Sequence, residues 1–363
     1  MTPDLGTDTS PLVVHVIPSS RGRGAQRAAR ALVDRLDHPG VVRHRLLSLF
    51  DGAAEVEIDV ALHQAGDAEG FEPRLAVRLR RTLARLHPAV IVAHGGDAMK
   101  YAVPAIIGTG RPLVYCVIGT YAGAPRSPHV WLWRRLMSRA DLVVAVGDEV
   151  LEECTERFRV AAQRAVMIPN GRDPTQFRPR SGPGEPETPT LIFVGALTPG
   201  KQPDRFVEVV HRLRAEGRDL HAMIVGDGPL AGELRPLAAA QGIEVLGPRS
   251  DVPELLRDAD VFVFTSRPAG EGMPGVLIES GLSGLPSVST SVPGAATVLC
   301  DGSTGVIVED SVAALSDAVG RLLADPERRS AMGAAARRRC VSAFTLDLMA
   351  ERWRNALQPL MAS

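Results

Sequence analysis

The chain has 363 residues, 45 % hydrophobic and 4 % aromatic, with a formal net charge of −1. Such a length admits two domains, the aliphatic composition suits an α/β protein, and the near-neutral charge argues against a dedicated nucleic-acid binder. The charge is unevenly spread: residues 1–180 hold 24 Lys+Arg against 19 Asp+Glu, and residues 181–363 hold 17 against 23. A basic first half suits an anionic acceptor or a membrane surface, and equally an ordinary solvated surface. Cys116, Cys154, Cys300 and Cys340 are scattered without metal-ligand spacing, which fits a reducing cytoplasm better than a disulfide scaffold. No apolar run reaches the roughly 18 residues that span a bilayer, and Met1 to Ser10 is polar and acidic, unlike a signal peptide.

Strand and helix signals alternate along the chain, the pattern of parallel sheets covered by helices. Strands are expected at Leu12–Ile17, Val41–Leu47, Val90–Ala93, Leu113–Ile118, Leu142–Val146 and Ala165–Ile168. Helices are expected between them at Gln26–Leu36, Pro73–Leu86, Trp131–Ser138 and Glu149–Phe158. Residues 178–189 then hold four prolines, two glycines and no large apolar residue, and read as a linker. Alternation restarts with strands at Leu191–Val194, His221–Val225, Ile243–Leu246, Val261–Phe264, Ser287–Thr290 and Gly305–Val308. Helices are expected at Pro203–Glu216, Gly232–Gln241, Val252–Arg257, Gly275–Ser283 and Val312–Leu323, with a last one at Leu346–Leu360 that should cross back onto the first domain. The expected fold is α/β, two doubly wound Rossmann-like domains facing across a cleft. Residues 1–180 plus about 346–363 are expected to form one domain and 181–345 the other, with ligands at the strand ends that line the cleft.

The stretch from Thr265 to Glu279 carries most of the chemistry. A buried strand ends at Thr265-Ser266, glycines and prolines turn the chain, and a helix begins near Gly275. Glu271 precedes that helix and Glu279 lies about one turn inside it, with seven residues between them. Bare N–H groups at a helix start attract phosphate, and a carboxylate on either side can bind hydroxyls of the phosphate's carrier. Other loops follow strands of this half. Gly195–Lys201 delivers one of only two lysines, the other being Lys100, against 39 arginines. A compact ammonium suits a diphosphate where a fork does not. Gly226–Pro229 is a tight turn, Gly247-Pro248-Arg249 could read a base edge, and Thr290–Gly294 forms a further wall.

These residues resemble the donor domain of family-four retaining glycosyltransferases, which have the GT-B fold. The loop with Gly195 and Lys201, the Gly226–Pro229 turn, Gly247 and the paired glutamates occur in that family's order. In the first half, Ile168-Pro169-Asn170-Gly171 resembles its interdomain passage and Ser19–Gly24 its first glycine-rich loop. The resemblance implies that Lys201 binds the diphosphate, Glu271 the sugar hydroxyls and Glu279 the ribose. It implies a donor cradle from Gly272, Met273, Pro274, Gly275 and Val276, with Pro274 contributing no N–H, and close backbone approach at Gly24 and Gly195. Two departures stand out. Ala196 occupies a position where the family usually has an arginine, so Arg267 or Arg249 is a candidate replacement. Ile118 occupies a position where many members have a histidine, which leaves His94 as a candidate beside the reacting carbon, weighed against a structural histidine.

The implied reaction moves a hexose from a nucleoside-diphosphate sugar to a hydroxyl acceptor with retention. Lys201 and the helix start stabilise the departing diphosphate, which itself takes the acceptor's proton. No metal, cofactor or protein nucleophile is expected. Asp258-Ala-Asp260 resembles a manganese pair but directly precedes a buried strand, and Arg337–Arg339 reads as a solvated helix face. Arg74, Arg78, Arg81 and Arg85 lie opposite Leu75, Leu79, Leu83 and Leu86, a stripe that with Trp131, Trp133, Arg134 and Arg135 suits either solvent or peripheral contact with anionic lipid. Partners are expected to be the donor and a small-molecule, glycan or lipid acceptor, in the cytoplasm or on the inner membrane face. A nucleotide-sugar epimerase, a phosphorylase and a non-catalytic sugar-nucleotide binder are the alternatives. A dinucleotide oxidoreductase fits less well, because Gly22 and Gly24 lack a third glycine at the needed spacing.

Overall fold

A computed structural model describes residues 9–20, 24–50, 56–62, 71–121, 128–181, 188–268 and 271–361. Arg21 to Arg23 of the first glycine-rich loop and residues 182–187 of the expected linker lie outside these residues. The chain divides into two units, Met1–Asn170 with Leu346–Ser363, and Gly171–Thr345.

The first unit holds strands β1 (Leu12–Ser19), β2 (Arg43–Phe50), β3 (Val60–Ala61), β4 (Val90–His94), β5 (Leu113–Val117), β6 (Leu142–Ala145) and β7 (Ala165–Met167). They pair in parallel in the order β3-β2-β1-β4-β5-β6-β7. Strands β4 and β5 are buried along their whole length, which is why they read as unbroken aliphatic runs rather than as alternating ones. Helices α1 (Gly24–Leu36), α2 (Pro73–Leu86), α3 (Gly95–Ile106), α4 (Pro128–Met137) and α5 (Asp148–Glu152) connect them. Helix α2 starts on a proline whose missing N–H costs nothing there, buries Leu75, Leu79 and Leu83, and ends on His87 in the left-handed region. Its Arg74, Arg78, Arg81 and Arg85 are exposed.

Helix α3 escapes sequence patterning because it opens on two glycines and contains Pro104, residues that ordinarily mark a loop. Strand β3 is two residues long and offers no period at all.

The second unit is a six-stranded parallel sheet among the described residues, ordered β10-β9-β8-β11-β12-β13. Its strands are β8 (Thr190–Val194), β9 (His221–Val225), β10 (Glu244–Gly247), β11 (Val261–Phe264), β12 (Ser287–Thr290) and β13 (Gly305–Val308). Its helices are α6 (Pro203–Ala215), α7 (Ala231–Ala240), α8 (Val252–Asp258), α9 (Gly275–Leu282), α10 (Ala295–Val298), α11 (Val312–Ala324) and α12 (Pro326–Ala343). Phe193, Phe206, Val263 and Leu315 anchor one core of this unit, and fully burying each such side chain contributes about 1.5–3 kcal/mol. Ser311 caps α11 through the Ala314 N–H at 3.1 Å, and Asp325 caps α12 through the Arg328 N–H at 2.9 Å.

Helices α9 and α12 touch closely: a Cβ on Gly281 would meet Cys340 Sγ at 2.5 Å, and one on Gly333 would meet the Gly284 carbonyl oxygen at 2.1 Å. The arginine triplet on α12 corrects the reading of a wholly solvated face. Arg338 is exposed, but Arg337 donates to the carbonyls of Phe177, Leu282 and Pro174, and Arg339 to those of Thr297 and Val298. The final helix, α13 (Leu346–Met361), belongs to the first unit and packs on α1 and β4.

Candidate active site

The loops at the C-terminal end of the second sheet are laced together by backbone bonds. Gly195 N–H donates to Val225 at 3.0 Å, Leu197 N–H to Asp227 at 2.9 Å and Gly226 N–H to Gly247 at 2.9 Å. Gly226 sits at φ +138°, and a Cβ there would stand 1.9 Å from the Gly195 oxygen, so only glycine lets the loops after β8 and β9 close on each other.

The next link fixes Lys201. Thr265, at the end of β11, donates its hydroxyl to the carbonyls of Lys201 and Gln202 at 2.9 and 2.8 Å. Arg267 N–H reaches Gly200 at 2.8 Å. Held this way, Lys201 places its ammonium 5.0 Å above the Phe264 ring and donates to Glu271 Oε1. The two residues singled out as the core of the site are therefore in direct contact.

Glu271 begins the run into α9. Gly272, Met273 and Pro274 are buried, and Gly294, at φ +75°, lies under this backbone. Thr290 fastens the end of β11 by donating to the Ser266 carbonyl at 2.6 Å. Helix α9 has no side-chain cap, and the N–H groups of Gly275 and Val276 have no protein acceptor among the described residues.

Glu279 is held by a residue that sequence reading missed. Arg172 donates from Nε to Glu279 Oε1 at 2.6 Å and from Nη1 to the Gly171 carbonyl at 3.0 Å. The available signal was a charge directly after the Asn170-Gly171 passage.

The two proposed replacements for the cation missing at Ala196 fare differently from expectation. Arg249 is exposed and gives both arms of its fork to Asp251, so its guanidinium is committed elsewhere. Arg267 is exposed as well. Pro248 and Arg249 follow Gly247, which is at φ +72°. Asp260 is a structural clamp, accepting the Thr190 N–H at 2.8 Å beside Arg180.

In the first unit, His94 is buried and bonded from Nε2 to His15 Nδ1 at 2.9 Å, while His15 Nε2 meets His44 Nδ1 at 3.0 Å. The three side chains share one face of the sheet, and Trp353 of α13 lies 6.1 Å from the His94 ring. Burial pushes the His94 and His44 imidazoles down to about 4, and His15 lower than usual for the same reason. The His94 imidazole is thus one end of a buried row at the end of β4. A Cβ on Gly24 would meet open space, so the described neighbours do not require glycine there.

Next to this row, a cavity of about 270 Å³ is lined by Asp97, Lys100, Thr120, Tyr121 and Trp133. Lys100 pairs with Asp97 at 2.8 Å, the Tyr121 and Trp133 rings are 4.8 Å apart, and Tyr115 shares its hydroxyl with Tyr121 at 2.6 Å.

Residues 22–176 match the family description Glycosyltransferase Family 4, and residues 188–325 match Glycosyl transferases group 1. The chain belongs to the family-four glycosyltransferases. Its GT-B architecture is shared with HepE of Anabaena in complex with UDP and glucose, at a TM-score of 0.81 and 18 % identity over 96 % of this chain and 100 % of that one. The family-four chain is 31 % identical over 224 residues to a GDP-mannose-dependent α-(1-6)-phosphatidylinositol monomannoside mannosyltransferase of Mycolicibacterium smegmatis, covering 56 % of this chain and 58 % of the relative. It is also 31 % identical over 224 residues to a D-inositol 3-phosphate glycosyltransferase of Nocardia farcinica, covering 55 % and 49 %. The chain thus spans about half the length of these curated relatives.

Proposed function

We propose that this chain transfers a hexose from a nucleoside-diphosphate sugar to a hydroxyl acceptor, with retention of configuration and without a metal. The observation that carries the reading is the contact between Lys201 and Glu271 beside the uncapped start of α9. Lys201 is suited to the diphosphate, where its charge counts most as the leaving group forms. Glu271 accepts hydroxyls of the sugar, and Glu279 those of the ribose. A departing phosphate oxygen takes the acceptor's proton, so attack comes from the face that the diphosphate leaves. Backbone after Gly247 supports a base site at Pro248 and Arg249.

For the acceptor, the cavity at Asp97 supports a site in the first unit. Asp97 can accept hydroxyls, and the Tyr121 and Trp133 rings offer faces on which a sugar or cyclitol ring can stack. The relatives' names point to inositol-bearing acceptors, in one case a phosphatidylinositol mannoside. A lipid acceptor fits the exposed arginines of α2 and Trp131 of α4, which is 70 % exposed, as a peripheral contact on the inner membrane face. No helix among the described residues is long and apolar enough to cross a membrane.

The test is turnover of Lys201→Ala and Glu271→Gln with GDP-mannose and UDP-glucose as donors and inositol phosphate or phosphatidylinositol as acceptors. Each variant is expected to lose at least about 100-fold in kcat/KM. The anomeric configuration of the product, read by NMR, and turnover in excess chelator test retention and metal independence. Full activity in both variants would refute the site, and donor consumed without acceptor would favour an epimerase.

A further inference from the structure

Arg172 holds hydrogen-bonding capacity that the site as described does not use. A guanidinium carries five N–H donors in a planar fork. Nε is spent on Glu279 and Nη1 on Gly171, while Nη2 has no acceptor among the described residues. It lies beside a glycine: a Cβ on Gly275 would stand 2.1 Å from Nη2 and 2.9 Å from Cζ. The unspent arm therefore lies against the first residue of α9.

Two sets of donors meet at this place, the backbone N–H groups of Gly275 and Val276 and the two N–H bonds of Nη2. A cation beside the positive end of a helix is repelled by it, and the Glu279 carboxylate offsets part of that repulsion from one side only. The Arg172 and Glu279 side chains are 15 % and 18 % exposed, so little water reaches the pair. What the arrangement lacks is an acceptor with more than one negative oxygen.

This inference rests on the donor reading above. We propose that Arg172 is a second cationic ligand of the donor's diphosphate, with Nη2 donating to a phosphate oxygen while Glu279 fixes the fork through Nε. Glu279 then serves twice: Oε1 holds Arg172, and Oε2, which has no protein donor among the described residues, accepts from the ribose. Arg172 thus supplies the charge that Ala196 does not.

Calorimetric titration of the full chain with GDP, GMP, UDP and UMP tests this, because the ratio of monophosphate to diphosphate Kd isolates the second phosphate. Arg172→Ala and Arg172→Gln are compared with Lys201→Ala, and thermal melts accompany each. The wild type is expected to prefer one diphosphate over its monophosphate, and either Arg172 variant to cut that preference about 10-fold, as losing one charged hydrogen bond does. Arg172→Gln keeps the side chain's length and answers the question if the alanine variant does not fold. An unchanged preference in an Arg172 variant, alongside a loss in Lys201→Ala, overturns the role of Arg172 and leaves the donor site standing. No preference in the wild type overturns the donor site, and this role with it.

Discussion

Gly294 sits directly beneath Gly272: a Cβ built on Gly294 would come within 2.2 Å of the Gly272 carbonyl oxygen and 2.8 Å of the Met273 Cα. The glycine is also at φ +75°, so a side chain there is strained twice, by backbone conformation and by contact. Gly294→Ala should destabilise the chain by about 1–3 kcal/mol, the usual range for overpacking. Because the displaced backbone runs from Glu271 into α9, donor KM should rise as well. Thermal melts and donor titrations of the variant check both effects, and a wild-type KM would detach Gly294 from the site.

Gly275→Ala separates a different pair of effects. The atom its Cβ would strike is the far end of the Arg172 side chain, which can swing aside. Alanine is also a good residue for a helix. The melting temperature should therefore stay near wild type while diphosphate affinity falls several-fold, because the guanidinium is pushed off its position.

The histidine row makes stability depend on pH. His44 and His94 are held neutral by burial, with values near 4 against an ordinary 6.5. The unfolded chain binds more protons below 6.5, so the contribution of these two is full above that pH and is lost as pH drops towards about 4, while His15, also held well below its ordinary value by burial, adds to the loss. Within that window each histidine contributes a slope approaching about 1.4 kcal/mol per pH unit. Denaturant melts between pH 4.5 and 7.5 should show the slope, and His94→Gln with His44→Asn should reduce it, leaving the part that His15 contributes. Neutral imidazoles have one donor and one acceptor nitrogen, so the bonds run in a single direction along the row.

Neighbouring arginines on α12 should behave oppositely. Arg337→Ala removes bonds to the carbonyls of Phe177, Leu282 and Pro174 and should cost about 1.5–3 kcal/mol, the range for charged hydrogen bonds. Arg338→Ala, on the exposed side, should stay within about 0.5 kcal/mol. Urea melts of the two variants give the comparison directly.

Much of this was legible in the sequence where a strand is buried on both faces or a helix has a clean stripe. Val261–Phe264 and Ser287–Thr290 are read to the residue, as is α2. Helix α3 is not, because Gly95, Gly96 and Pro104 mimic a loop, and the bounds and buried face of α12 are not, because its buried apolar positions are a sparse set of Met332, Gly333, Ala336 and Cys340 among arginines. In the site, the glutamates are visible through their spacing around one strand-to-helix turn, and Lys201 as one of only two lysines, on a glycine-bearing loop after another strand. Arg172 was invisible because its partner Glu279 lies 107 positions away. His94 stands at a strand end, where ligands commonly bind, and what the sequence does not show is its bond to His15 on β1, which in turn meets His44 on β2.

Trp353 has a consequence for how the chain is made. Its ring closes over His15 and His94, so strand β1 waits for helix α13, which follows the whole second unit in the chain, before its buried face is covered. Residues 171–345 are contiguous and need no such delay. Although synthesised later, they are free to finish folding first.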